Sequence, residues 1–368
     1  MTQLTNNKRP IIYLAATGHG FGHAVRISTV ADAILKLCPD SLIIMVTTAP
    51  RWLLESYIAG DFIYRPLAFD VGVIQSDSFT MDKVATLKKI QELYKKREWL
   101  MAGEINFLKT NKVDLILADI PPLMAPIAKL AGIPCWMMGN FGWDFIYQAW
   151  GEEWQEVVNW IRDCYQQCDR LFRFPMAEPM NTFNSITDVG LTGGNHRYKI
   201  DDLRNNFNIN APPEKTILLT FGGLGLQEIP YANLAQFSDW QFITFDSNAP
   251  ELDNIIKISN SIYRPVDFMP LCSRVISKPG FSTFAETMRL DIPIISLGRN
   301  DFAETPFLLE GIRNYTDHQI LETDSFFQGN WDFLKQDPKP PKIGKILAKD
   351  GAEVIAKAIL DRCFSEPK

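Results

Sequence analysis

The 368-residue chain is poor in everything that marks a membrane, secreted or nucleic-acid-binding protein. The apolar run after the polar opening "MTQLTNNKRP" is only one strand long, so neither a signal peptide nor a membrane span is expected. The six cysteines, at positions 38, 135, 164, 168, 272 and 363, include no Cys-x-x-Cys pair and are too sparse for a disulfide scaffold. They read as reduced thiols, and the expected compartment is the cytoplasm. A net charge of −6 gives no broad basic surface for a phosphate backbone, although Lys95-Lys96-Arg97 form one local cluster, so nucleic acid is not an expected partner. With 46% apolar and 22% charged residues, disordered and collagen-like classes are also excluded.

What is present is a repeated pattern. The length exceeds what one hydrophobic core usually serves, which favours two domains. In the first half the strand-length runs "PIIYLAA", "SLIIMVTT", "VDLILAD" and "IPCWMMGN" alternate with helical stretches at 24–37, 81–108 and 123–131. Such alternation predicts parallel strands joined by right-handed crossovers, with helices on both faces. The polar stretch 191–215, with Gly-Gly and Pro-Pro punctuation, reads as a linker containing at most one short helix. The pattern restarts with "TILLTFGG", "WQFITF", "SRVISK" and "IPIISLG", with a helix over "FSTFAETMRL". The expected organisation is one α/β domain over 1–190, the linker, a second α/β domain over 216–345, and a C-terminal segment 346–368 whose helix packs back on the first domain.

The most informative stretch is "AATGHGFGHAVR", Ala15 to Arg26. A glycine-rich turn after a buried strand lets a ligand approach backbone N–H groups, and the helix it opens favours an anion or a developing negative charge. The order lacks the G-x-G-x-x-G of a dinucleotide site, and no Lys-Ser/Thr pair follows as in a P-loop. His19 and His23 are spaced to share a metal, but no H-E-x-x-H accompanies them and the remaining histidines, His196 and His318, lie far along the chain. No metal and no cofactor are expected. Two readings stay open on these residues alone: local hydrogen bonding in a tight turn, or acid–base chemistry.

The blocks "TGHGFGHAVR", "DVGVIQSDSFTMD", "NFGWDFIY", "ILLTFGG", "SKPGFSTFAE" and "NDFAETPFLLEG", in that order, resemble the glycosyltransferase-like N-terminal half of plant and bacterial arabinokinase-type sugar kinases. A more distant resemblance is to inverting GT-B enzymes, including the lipid II GlcNAc transferase and plant UDP-glycosyltransferases. The resemblance implies an α/β GT-B architecture, two Rossmann-like domains with parallel sheets facing a central cleft. It does not imply kinase activity, because no glycine- and serine-rich kinase phosphate loop is found and the chain is expected to lack the sugar-kinase half.

What it implies instead is transfer of a sugar from a nucleotide-sugar, expected to be UDP-linked, to a hydroxyl of a small-molecule or lipid-linked acceptor. By motif position His23 is the expected base, with His19 second, and Asp119 at the end of "VDLILAD" is the carboxylate that orients it; the competing role for Asp119 is a helix N-cap after Pro121-Pro122. On the donor side stand Gly20 and Gly22, Gly222 and Gly223 after "TILLTF", and Lys278, Gly280, Phe281, Ser282 and Thr283 of "KPGFST". Glu286 matches the ribose-binding glutamate, its alternative being an exposed helix carboxylate, and Glu304 matches the sugar-binding position, though Ala303 and Thr305 depart from the family pattern. Trp143, Asp144 and Tyr147 are candidate acceptor contacts; Trp143 and Tyr147 read equally as the core stripe of a helix. The absence of D-x-D implies metal independence. Lys278, eight positions before Glu286 where retaining enzymes carry a glutamate, implies inversion. Two rival functions remain: a sugar-nucleotide-sensing module, which needs no His23–Asp119 dyad, and a GT-B-fold nucleotide-sugar epimerase, which needs further carboxylates around the sugar.

Overall fold

The computed structural model describes residues 9–76, 80–223, 225–226, 229–298 and 302–365. Parts of the blocks quoted above, Asp77 to Phe79 and Asn300-Asp301, and most of the polar opening segment lie outside the described residues. The chain divides into two compact units, residues 1–74, 82–192 and 350–368 in one and residues 75–81 and 193–349 in the other. Among the described residues no helix is long and apolar enough to cross a membrane, and the six cysteines are free thiols.

In the first unit seven strands are described: β1 (Ile11–Ala16), β2 (Leu42–Val46), β3 (Ile63–Arg65), β4 (Leu115–Asp119), β5 (Cys135–Gly139), β6 (Arg170–Arg173) and β7 (Ile186–Asp188). They pair in parallel in the order β3-β2-β1-β4-β5-β6-β7. The central strands are buried along most of their length, which is why they read as continuous apolar runs. The outer strands β3, β6 and β7 are three or four residues long and end in charge, which is why no apolar run announced them. The long helix Lys83–Thr110 begins where the Asp82 carboxylate accepts the Ala85 N–H at 2.8 Å, a side-chain N-cap. Helix Met124–Ala131 stops at Gly132. The last helix, Gly351–Phe364, packs on helix Gly22–Leu37 and buries Ala352, Ile355, Ala356 and Ile359, a stripe at three- and four-residue spacing.

The second unit has β8 (Thr216–Thr220), β9 (Gln241–Thr244), β10 (Ile255–Lys257), β11 (Arg274–Ser277), β12 (Ile294–Leu297) and β13 (His318–Leu321), all parallel in the order β10-β9-β8-β11-β12-β13. Ile217, Leu219, Phe242, Ile276 and Ile295 form one face of its core, closed by Phe326 and Trp331. The polar stretch 191–215 carries the short helix Ile200–Asn206, whose Leu203 is buried together with Ile209.

Both sheets reverse direction beside their first strand. Successive connections run one way from β1 to β3 and the other way from β4 onward, and likewise about β8 and β11. In open parallel sheets the two loops leaving such a switch point diverge and leave a crevice at the strand ends, the usual place for a ligand. That rule singles out four loops: those after β1 and β4, and those after β8 and β11.

Candidate functional site

The loops after β1 and β4 bring His23 and Asp119 together. Ala16 and Asp119 are register partners at the ends of the paired strands, so the turn after β1 starts beside the aspartate. Gly20 has φ +64°, the left-handed region that glycine enters without a Cβ penalty, and this lets the chain reverse directly into helix Gly22–Leu37. The first turn of that helix then places His23 Nδ1 at 2.8 Å from Asp119 Oδ1. Asp119 is fully buried and serves no helix as a cap, since Leu123 is the N-cap of the helix that follows.

Arg26 joins the pair. Its Nε donates to Asp119 Oδ2 at 2.5 Å and its Nη2 to Oδ1 at 2.6 Å, a two-pronged grip on the carboxylate. Nη1 donates to Asn140 Oδ1 at 2.6 Å, and Nη2 also lies 2.8 Å from His23 Nδ1. All four side chains are buried, with Arg26 only 2% exposed. Burial pushes the Asp119 carboxyl up, but the Arg26 and His23 charges and hydrogen bonds outweigh it and hold it below its ordinary range. His23 moves the other way: burial first, then the Arg26 charge, lower its pKa from the usual 6.5 against the opposing pull of Asp119. The resting arrangement is an ionised aspartate, a cationic arginine and an uncharged imidazole.

An aromatic shell surrounds the imidazole. Trp143 and Phe141 approach the His23 ring at centroid distances of 6.2 and 5.7 Å, and Trp143 meets the His19 ring edge-on at 5.4 Å. His19 Nδ1 lies 3.2 Å from the Val73 carbonyl oxygen and 3.3 Å from its amide nitrogen, so one of its ring nitrogens is engaged by backbone. Trp143 and Tyr147 are both buried and stacked at 5.6 Å, with Trp143 Nε1 donating to Asp70 and the Tyr147 hydroxyl to the Gly72 carbonyl. Of the two, Trp143 borders the dyad, while Tyr147 continues into Trp150 and Trp154. Asp144 accepts from the Thr182 hydroxyl at 2.7 Å and from Arg162 Nε at 3.4 Å, partners that explain a buried carboxylate without any ligand.

In the second unit the exposed Gly222 and Gly223 leave β8, and Lys278 leaves β11, where Ser277 is the register partner of Thr220. The Lys278 chain runs past Gly222, where an added Cβ would lie 3.5 Å from its Cε. Gly280 is the N-cap of helix Phe281–Arg289, which presents the half-buried Ser282 and Thr283 in its first turn. Glu286 is 4% exposed, not the exposed helix carboxylate of its alternative reading, and its Oε1 accepts the Gly194 N–H at 3.0 Å. Glu304, also buried, is the N-cap residue of helix Thr305–Tyr315.

Solved structures share this fold. UGT89C1 of Arabidopsis thaliana complexed with UDP superimposes with a TM-score of 0.62 at 13% identity, covering 97% of this chain and 100% of that one. A UDP-glucosyltransferase from Polygonum tinctorium capable of glucosylating indoxyl gives 0.63 at 13% identity, over 98% and 99%. In fold, the chain is GT-B, two Rossmann-like α/β units each built on a parallel sheet. In sequence it is similar to an L-arabinokinase of Arabidopsis thaliana, 28% identical over 337 residues, which cover 89% of this chain and 32% of that one. The GT-B chain therefore spans about a third of the length of the curated relative it matches. No protein-family model matches it.

Against the GT-B frame, sequence reasoning missed Arg26, Asn140 and Asp70. Arg26 stands inside the most informative stretch, and a charge between Val25 and Ile27 on a buried helix was the available signal. Asn140 directly follows β5, the neighbour of β4, and opens the block "NFGWDFIY", in which the aromatic residues and Asp144 drew the attention. Asp70 accepts from Trp143 Nε1 at 3.0 Å, while its other oxygen is buried with no partner at hydrogen-bonding geometry. Burial, only partly offset by Thr17, Trp143 and Gly18, and the nearby Asp119 charge push its carboxyl up to about 6.

Proposed function

We propose that the chain is an inverting, metal-independent glycosyltransferase that moves a sugar from a UDP-linked donor to a hydroxyl of a small-molecule or lipid-linked acceptor. The observation that carries the reading is the 2.8 Å bond between His23 Nδ1 and Asp119 Oδ1, at the strand switch point of the first unit. With the proton on Nδ1 and directed at the carboxylate, Nε2 keeps its lone pair and takes the acceptor proton as the hydroxyl oxygen attacks the sugar carbon. The bond from that carbon to the diphosphate breaks on the opposite face, and the nucleotide leaves with the negative charge. In the second unit, Gly222, Gly223, Lys278 and the first turn of helix Phe281–Arg289 offer backbone donors and one cation of the kind a nucleotide diphosphate needs. The sequence offers no D-x-D pair to present a metal there, so activity is expected to survive EDTA.

A second reading, a module that binds sugar nucleotides without transferring sugar, is favoured by one contact. Arg26 Nη2 lies as close to His23 Nδ1 as Asp119 does, and if Nδ1 accepts from it, Nε2 carries the proton and is a donor rather than a base.

The deciding experiment supplies purified protein with UDP-, GDP- and dTDP-sugars and an acceptor panel, measuring thermal shift for binding and nucleoside diphosphate release for transfer. His23→Ala is expected to lower turnover about 10²–10⁴-fold while the thermal shift with donor is kept. Donor binding with no turnover across the panel, in wild type, would replace the transferase reading with the binding module. Unchanged turnover in His23→Ala together with loss in His19→Ala would move the base to His19.

A further inference from the structure

The Arg26 guanidinium has no place in the dyad as inferred from sequence, yet it makes more contacts with Asp119 than His23 does. Arginine only donates, and at neutral pH it does not give up its charge. Three groups therefore meet around one corner: Arg26 Nη2 is 2.6 Å from Asp119 Oδ1, His23 Nδ1 is 2.8 Å from the same oxygen, and the two nitrogens are 2.8 Å apart. An imidazolium formed there would face a guanidinium within hydrogen-bond distance, inside a buried cluster.

We propose that Arg26 is a positioning residue for His23: by taking both oxygens of Asp119 it holds the carboxylate in place for Nδ1 and keeps the imidazole uncharged until a substrate hydroxyl arrives. The inference rests on reading His23 as the base, and it adds a property that a His–Asp pair lacks. An unaccompanied carboxylate stabilises the imidazolium, so a simple dyad fills with protons in mild acid and loses its base. Here the positive neighbour offsets the negative one. The consequence is a weaker base that stays available at lower pH, and one that readily hands on the proton it has taken.

The groups facing His23 allow the balance to be followed. Asp119 and Arg26 are the two charges in contact with it, Asn140 is neutral and fixes Arg26 Nη1, and Phe141 and Trp143 cover the ring. His19 approaches at 6.3 Å between centroids, and Asp70 acts at one remove through its repulsion with Asp119.

The test needs no substrate. The chain has four histidines, so a sample labelled with ¹³C and ¹⁵N histidine gives few enough ring signals to assign by substitution. In the wild-type protein the His23 signal is expected to titrate below pH 6.5, with the neutral form protonated on Nδ1. In Arg26→Gln the midpoint is expected to rise, increasing the protonated fraction relative to the neutral one about tenfold or more at a given pH. A residue that served only to hold the fold together would leave that midpoint where it was. A wild-type midpoint at or above 6.5 overturns the proposal without any variant, and so does an unchanged midpoint in a folded Arg26→Gln protein. Failure of the transferase reading is seen separately, in the turnover of His23→Ala, and leaves the titration result standing.

Discussion

Replacing Asp119 by asparagine tests whether the buried cluster is held by charge pairing. The side chains are nearly the same size, so packing is preserved and the change is electrostatic. Asparagine has one acceptor oxygen where aspartate has two. Whichever way the amide turns, an N–H₂ group faces a donor, either Arg26 Nε or the corner shared by Arg26 Nη2 and His23 Nδ1. At least one charge-assisted bond is lost, worth about 1.5–3 kcal/mol. The guanidinium, 2% exposed, is left without its counter-ion. Removing one partner of a buried pair costs about 3–5 kcal/mol, which for a unit of this size is a fall of about 6–20 °C in the melting midpoint. The assay is denaturant and thermal unfolding of wild type, Asp119→Asn and the double variant Asp119→Leu with Arg26→Met. The double variant removes both charges and should be more stable than Asp119→Asn. A loss below about 1 kcal/mol in Asp119→Asn would refute the reasoning, as would a double variant no more stable than Asp119→Asn. Because Asp119 also holds Arg26, an activity loss in Asp119→Asn does not act through His23 alone.

Asp70→Asn should stabilise the protein at alkaline pH: a carboxyl raised to about 6 in the folded state, from 3.8, is penalised as pH rises through that window. The gain is at most about 3 kcal/mol at pH 8 and should vanish near pH 4; equal melting shifts at both pH values would exclude the titration as the cause. For the dyad the sign is reversed. Asp119 is held below its ordinary range and His23 below 6.5, so acidification should cost stability, first below about pH 6.5 as the unfolded-state imidazole takes up protons and later as Asp119 does, measured as a falling melting midpoint that His23→Ala flattens in the upper part of the range. Gly193→Ala should destabilise the second unit by about 1–3 kcal/mol, because φ is +155° and the new Cβ would lie 2.8 Å from Glu286 Cγ; a change within about 0.5 kcal/mol in urea unfolding would show that the Gly193-Gly194 segment is not held by Glu286.

The central strands and the glycine turn were legible because their causes are local. A strand buried on both faces is apolar over most of its length, and β1, β2, β4 and β5 follow that rule, as do β8 and β12 in the second unit. Strands such as Ile63–Arg65 and Ile186–Asp188 gain their structure from a neighbour's unpaired backbone rather than from their own side chains, and a three-residue segment carries no period to read. The same division runs through the site. His23 was visible as a histidine in a turn at the end of a buried strand, and Asp119 as the acid that ends another. Arg26 was visible in kind: on a helix whose Ala24, Ile27, Val30, Ala31 and Ile34 are all buried, an arginine has to meet an anion inside the protein. What no spacing rule supplies is that this anion is the one already claimed by His23. Two residues three apart on a helix share a face, so a carboxylate that reaches one comes within reach of the other. Whether it serves the histidine as a partner or is neutralised by the arginine is decided by tenths of an ångström around Oδ1, and with it whether Nε2 of His23 faces a substrate as an acceptor or as a donor.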